Sequence, residues 1–192
     1  MNKKLFVPFV LAALSLSGCG TSATQNGGTP APIASAPAAT YADAPEGCVK
    51  STVLTAKTSD LKQITFTSPT NWLNLWPSTP AKGQLVFATF PVPKGDAYST
   101  HDYTDADARA VVYFEDNVAK KVGVGNYSGA TDAKMKVTSA DVSSKNLSGG
   151  VFDKNGSLEI THYDSKYVCG TMKFDDGSNM LKGDFIAEIV NH

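Results

Sequence analysis

Residues 155–189 read NGSLEITHYDSKYVCGTMKFDDGSNMLKGDFIAEI, and this stretch decides the fold. Leu158, Ile160 and His162 alternate with Ser157, Glu159 and Thr161. A period of two marks a strand with one buried face, and it places His162 on the inward side. Asn155-Gly156 stands just before this run. The pair is a hairpin signal because both residues tolerate positive φ. Val168, Gly170, Met172 and Phe174 share one face of a second strand, with Cys169 on the other. Asp175-Asp176-Gly177-Ser178-Asn179 is turn chemistry. Leu181, Phe185, Ala187 and Ile189 line a third strand.

The same period runs back to residue 48. Ile64 and Phe66 alternate with threonines, and 85–92, apolar but for Thr89, suits a central strand. Ala108, Ala110, Val112 and Phe114 alternate with Arg109, Val111, Tyr113 and Glu115. Asp116-Asn117 predicts a tight turn, with a further strand carrying Val118, Lys120, Val122 and Val124, and then one with Met135 and Val137. No stretch shows the 3.6-residue period of an amphipathic helix. About nine short strands separated by turns predict an all-β chain, a single antiparallel β-sandwich or a partly closed barrel. The run GSLEITHYDSKYVCGTMKF, followed by KGDF, resembles the end of small β-sandwich lipoproteins of unknown function. That resemblance implies the sandwich and no particular activity.

The front of the chain is of another kind. Lys3 and Lys4 precede a 12-residue, mostly apolar run, Leu5 to Leu16, and small residues follow. This is the layout of a secretory signal peptide, and the run falls short of the ~20 apolar residues of a spanning helix. Leu16-Ser17-Gly18-Cys19 resembles the lipobox of bacterial lipoproteins. The resemblance implies cleavage before Cys19 and acylation of its thiol, and two chains make a stable membrane anchor. Gly20, where Asp would favour retention at an inner membrane, implies the outer membrane of the cell envelope. Residues 20–40 carry no charge, and Ile33 is their one large apolar side chain. Such composition cannot offset the entropy of ordering. The expected organisation is a signal peptide over 1–18, a lipidated disordered tether over 19–46, and a β-sandwich domain over 47–192.

The chain has three cysteines, and lipidation of Cys19 leaves an even number. An exported compartment permits disulfides, so Cys48 and Cys169 are candidates for a bond. Two separate buried thiols are the alternative. The 192 residues carry a formal net charge of −1. Losing residues 1–18 removes two lysines, so 15 bases face 18 acids and the balance becomes −3. Arg109 is the single arginine. A nucleic-acid binder would show a basic, arginine-bearing face, so no nucleic-acid partner is expected.

Chemistry-bearing residues are few. HDYTDAD, residues 101–107, offers Asp102, Asp105 and Asp107 as oxygen ligands for calcium, beside His101. It lacks the EF-hand's Gly and Glu, and a solvated polar loop is the simpler reading. Trp72 and Trp76 in TNWLNLWPSTP, with Tyr98 and Tyr103, could form an aromatic platform for a sugar or peptide. A loop that closes one end of the sandwich with large apolar rings is the simpler reading. No Gly-x-Ser-x-Gly elbow, phosphate-binding loop or dinucleotide fingerprint occurs. No catalytic residue and no cofactor is assigned. The expectation is a lipid-anchored envelope lipoprotein whose sandwich is a non-enzymatic binding or assembly module with an envelope protein partner. A calcium-, glycan- or other small-ligand-binding lipoprotein is the alternative, and a hydrolase the second.

Overall fold

The computed structural model describes residues 37, 39–57, 63–145, 147–150 and 155–191, all within one compact unit, 33–192. The expected signal peptide, lipobox and Cys19 lie outside the described residues. Eleven strands occur among the described residues, and no helix. They are β1 Thr52–Lys57, β2 Gln63–Ser68, β3 Thr70–Leu75, β4 Lys82–Ala88, β5 Ala108–Asp116 and β6 Gly125–Ser128. Then come β7 Met135–Ser144, β8 Leu147–Gly150, β9 Ser157–Tyr163, β10 Tyr167–Asp175 and β11 Met180–Asn191.

Eight strands close a ring in the order β10-β9-β6-β7-β5-β4-β3-β11, with β10 and β11 also paired. The all-β expectation of a sandwich or barrel is therefore met by a closed barrel. β11 makes closure possible because it is long. Its first half pairs with β1 from Met180 to Asp184, and its end runs parallel to β3 from Glu188 to Asn191. The β1–β2 hairpin extends the sheet outward from β11, and β8 pairs with the upper part of β7. Two ring pairings are parallel, β11 with β3 and β6 with β7, so the sheet is mixed rather than purely antiparallel.

An eight-stranded barrel has an interior just wide enough for side chains to fill. Here Leu73, Leu85, Phe87, Val112, Phe114, Leu158, Ile160, Phe174, Leu181 and Phe185 fill it. The inward sets on β9, β10 and β11 are those that alternation predicted, except for His162 on β9. Phe87 meets Phe185 edge to face at 5.6 Å, and Phe114 meets Tyr127 likewise at 4.8 Å. Tyr127 buries its ring and donates its hydroxyl to the Gly123 carbonyl at 3.0 Å.

Two irregularities set which residues face inward. A bulge in the β5–β7 ladder moves the register between Tyr113 and Phe114. Inward side chains on β7 accordingly change parity, from Val137 to Ala140 and Val142. A second bulge sits at Cys169/Gly170, opposite β9. There a Cβ on residue 170 would stand 1.8 Å from the Glu159 carbonyl oxygen, so only glycine fits. Beyond that bulge His162 is not an inward residue. It sits half-buried at the end of β9, bonded through Nε2 to Asp164 at 2.9 Å.

Residues 117–124 are not the strand that their alternating valines predict; they are turn and bend. The Asp116 carboxylate accepts from the N–H groups of Val118 and Ala119, both at 2.8 Å, and such a side chain replaces a ladder as the backbone's partner. Lys120 takes φ 59°, which a strand cannot hold. Val122 alone turns into the core, while Val118 and Val124 are exposed.

Candidate functional site

The strands β3, β4 and β5 are buried on both faces. Leu73, Leu85, Phe87, Ala110 and Val112 point into the barrel, and alternation sends Trp72, Asn74, Gln84, Val86, Arg109, Val111 and Tyr113 outward. The connection from 89 to 107 folds back over this outer face. Phe90, Val92 and Ala97 pack with Trp72, Val86 and Val111 into a second apolar cluster, edged by Tyr103 and Tyr113.

A continuous ladder of rings crosses the face. His101 stacks on Phe90 at 3.6 Å, and Tyr103 meets both edge to face. The Arg109 guanidinium lies between Tyr103 and Tyr98, 5.7 and 5.6 Å from their centroids. Tyr98 lies parallel to Tyr113 at 6.4 Å, and Tyr113 parallel to Trp76 at 6.5 Å. A buried cation over ring faces is held by their quadrupoles, which explains how Arg109 sits at 8 % exposure. Its Nη1 also donates to the Ser99 carbonyl at 3.1 Å.

Polar groups run alongside the rings. Asn74 donates to Gln84 at 3.4 Å, and Gln84 donates to the Tyr113 hydroxyl at 2.5 Å. Tyr98 donates to Asp141 at 3.1 Å. Burial first, then the Tyr113 hydroxyl and the negative charge of Asp141, push the Tyr98 phenol well above its ordinary range, so it stays a donor.

Of the four aromatic candidates, Trp76, Tyr98 and Tyr103 join the ladder. Trp72 does not meet Trp76 in it. Trp72 is 1 % exposed beneath the loop, and Trp76 lies past the end of β3. Trp76 is half-buried and stands between two clefts at that end of the barrel. One, about 430 Å³, is lined by Leu75, Trp76, Pro77, Pro80, Val122 and Tyr163, with Lys121. The other, about 410 Å³, lies against Trp76, Tyr113, Lys82 and Thr138.

The acidic candidates close the covering loop. Asp107 accepts from the Thr104 backbone N–H at 2.7 Å and meets His101 Nε2 at 3.1 Å. Burial works against its charge, but the bonds from Thr104 and His101 outweigh it and hold its pKa below the ordinary value. Asp105 pairs with Lys145 at 3.1 Å, and Asp102 is exposed. Among the described residues, no three acidic, histidine or cysteine side chains come together as metal ligands would.

On the far wall, Cys48 and Cys169 are joined in a disulfide, with Cα atoms 5.8 Å apart. Tyr41, Ala39, Ala44, Cys48 and Val49 pack there on Tyr167, Cys169 and Ile186. Asp43 takes bonds from Lys166 and from the Tyr167 hydroxyl, and Lys166, then Tyr167, hold its carboxyl low.

Sequence reasoning did not single out Arg109, Tyr113, Phe90 or His101 as parts of one array. The signal was present in part, since Arg109 and Tyr113 alternate on the outer face of β5. What brings Phe90 and His101 to them is the fold-back of the loop, which no local pattern encodes. Compared with known proteins, the chain matches no family model, no curated protein and no solved structure.

Proposed function

We propose that the chain is a bacterial lipoprotein, anchored through Cys19 at the outer membrane, whose barrel is a non-enzymatic binding module for an envelope protein. The reading of the first 19 residues supports the anchor. The Cys48–Cys169 bond uses the two remaining cysteines and fits an oxidising compartment. Trp76 carries the binding reading. A half-buried tryptophan between two apolar clefts, backed by a rigid ring ladder, has the character of an interface anchor. Proline and aromatic walls suit an apolar side chain of a partner, and Lys121, which lines the first cleft, suits an acidic neighbour on it.

The parallel rings of Trp76, Tyr113 and Tyr98 favour a second reading, a glycan ligand at the same place. The two are separated in cells. A photo-crosslinking residue at position 124, exposed and next to the cleft-lining Gly123, is expected to capture one discrete envelope protein. The same residue at 178, on the β10–β11 turn, is expected to capture none. Equal capture at both positions, or none at either, overturns the protein-partner reading. Quenching of Trp76 by a glycan would then support the second. Anchoring has its own test: Cys19→Ser is expected to leave the membrane fraction, and a variant that stays there contradicts it.

A further inference from the structure

Among the described residues, two strands have a neighbour on one side only, β2 and β8. A free strand edge presents a row of unpaired N–H and C=O groups, and proteins blunt such edges with charge, proline, a bulge or brevity. β8 is blunted, since it is four residues long and ends in Gly149-Gly150. β2 carries none of these devices. Its six residues, QITFTS, hold no charge, no proline and no glycine. Its ladder with β1 runs through six successive pairs without a register shift. Ile64, Thr65, Phe66 and Thr67 are all β-branched or aromatic, the types that fit a sheet best.

The inner side of this edge is unfinished. Ile64 packs against the core yet stays half-buried. A cleft of about 250 Å³ opens along Ile64, Thr65 and Phe66, with 105–108 and Ser144 among its other lining residues. On the outer face Thr65 is exposed, and its hydroxyl shares a hydrogen bond with that of Thr55 across the ladder at 3.0 Å. The strand shares no residue with the two clefts beside Trp76.

We propose that β2 pairs edge to edge with β2 of a second copy of this chain, antiparallel about a two-fold axis at Thr65. Such an axis stands perpendicular to the sheet and sets Thr65 opposite Thr65, Ile64 opposite Phe66 and Gln63 opposite Thr67. Each side chain keeps the face it has in one copy. The outer threonine row of Thr55 and Thr65 then continues into the second copy, and the half-buried Ile64 gains Phe66 as its cross-strand neighbour. Charge selects this occupant. In a two-fold pairing a charged edge meets its own sign, which is destabilising, and QITFTS is neutral throughout. An edge kept for a charged foreign strand would carry the opposite charge, and this one carries none. The contact is isologous, so it closes at two copies. Six residues a side make a small interface beside the ~1,600 Å² of a standard one, so the dimer dissociates on dilution.

The full chain, with Cys19→Ser to keep it free of lipid, is followed by sedimentation velocity as its concentration is raised. A dimer is expected to build up with concentration. Thr65→Lys puts two like charges opposite each other at the axis, and Thr65→Glu does the same with the other sign. Each alone is expected to weaken dimerisation at least tenfold and to melt with the wild type, since Thr65 is exposed. An equal mixture of the two is expected to dimerise again, which a damaged fold would not do. Three results overturn the proposal: a wild type that stays monomeric throughout, a Thr65→Lys chain that dimerises as the wild type does, or a mixture that stays monomeric. A photo-crosslinking residue at position 65 that captures another protein in cells, and no second copy, also overturns it and gives the edge to a foreign strand. The Trp76 reading is untouched by any of these outcomes, because it is read by crosslinking from position 124.

Discussion

Two outer walls of the barrel are covered by excursions of the chain, and they are held in different ways. Over β10 and β11 the segment from Ala39 to Val49 is fastened by a disulfide, by the Asp43 contacts with Lys166 and Tyr167, and by the Tyr41–Tyr167 ring pair. Over β3, β4 and β5 the 89–107 connection is held by no covalent bond. It rests on stacked rings around Arg109 and a small apolar cluster. The first wall is closed by a crosslink that acts on the unfolded chain as well. The second is closed by contacts that exist only in the folded chain, and it leaves Tyr98 52 % exposed and Trp76 half-buried. A cover whose rings reach the surface can change partners; a cover stapled through its backbone cannot.

The largest test of this contrast is removal of the staple. Cys48 and Cys169 are 121 residues apart, and in the chain-entropy account the bond contributes about 4–5 kcal/mol. Denaturant unfolding of the Cys48→Ala, Cys169→Ala pair is expected to show that loss. A loss near zero would mean that the far wall holds without its bond, and the contrast would fail. Next comes the β-bulge next to Cys169. Gly170→Ala places a Cβ 1.8 Å from the Glu159 carbonyl and is expected to cost about 3 kcal/mol. Gly183, at φ 148° with the Val53 carbonyl oxygen 2.2 Å from an added Cβ, follows the same rule.

The ring-held wall answers to smaller changes. Tyr113→Ala removes the middle rung between Trp76 and Tyr98 and is expected to cost about 1–2 kcal/mol. Hydrogen exchange should then rise over 96–107 and stay unchanged over 41–49. A rise over both segments would show that the two walls are coupled rather than independent.

Acid is expected to have the smallest effect. His162 first, and then the N–H groups of Tyr167 and Lys166, hold Asp164 down to about 2. A depressed carboxylate stabilises the fold above its unfolded pKa of about 3.9 and gives that up as pH falls toward the folded value. Asp107 acts in the same direction. Melting temperature should therefore be flat above pH ~5 and fall between about pH 4 and 2. Asp164→Asn should remove a small part of that fall, because the group is largely exposed and screened.

How far the sequence could be read depends on how many faces of each strand are covered. In β9, β10 and β11 one face is apolar and the other polar for most of the length, so Leu158, Ile160, Met172, Phe174 and Phe185 declared their side. β3 buries Asn71, Trp72, Leu73 and Asn74 in succession, since the loop covers its outer face. Its alternation was erased, and TNWLNLW is not among the strands the sequence predicts. The valines of 117–124 misled for the opposite reason. Their spacing is that of a strand, but the Asp116 side chain satisfies the local backbone first. The parallel pairing of β11 with β3 joins residues over a hundred apart, and periodicity does not carry it. The candidate site was legible residue by residue, in Trp76, Tyr98 and Tyr103. Its assembly was not, because Arg109 and Tyr113 come from β5 and the rest from a loop folded over it.

The central claim is that the ring-held end of the barrel, at Trp76, is where a partner binds. Crosslinking from position 124 in cells, repeated in a Trp76→Ala background, tests it most directly. Trp76 is half-buried past the end of β3, so its loss should shift the melting temperature by only about 2–4 °C. The expected result is a drop of at least tenfold in captured partner with the fold intact. Undiminished capture, or capture lost only as the domain itself melts, would contradict the account.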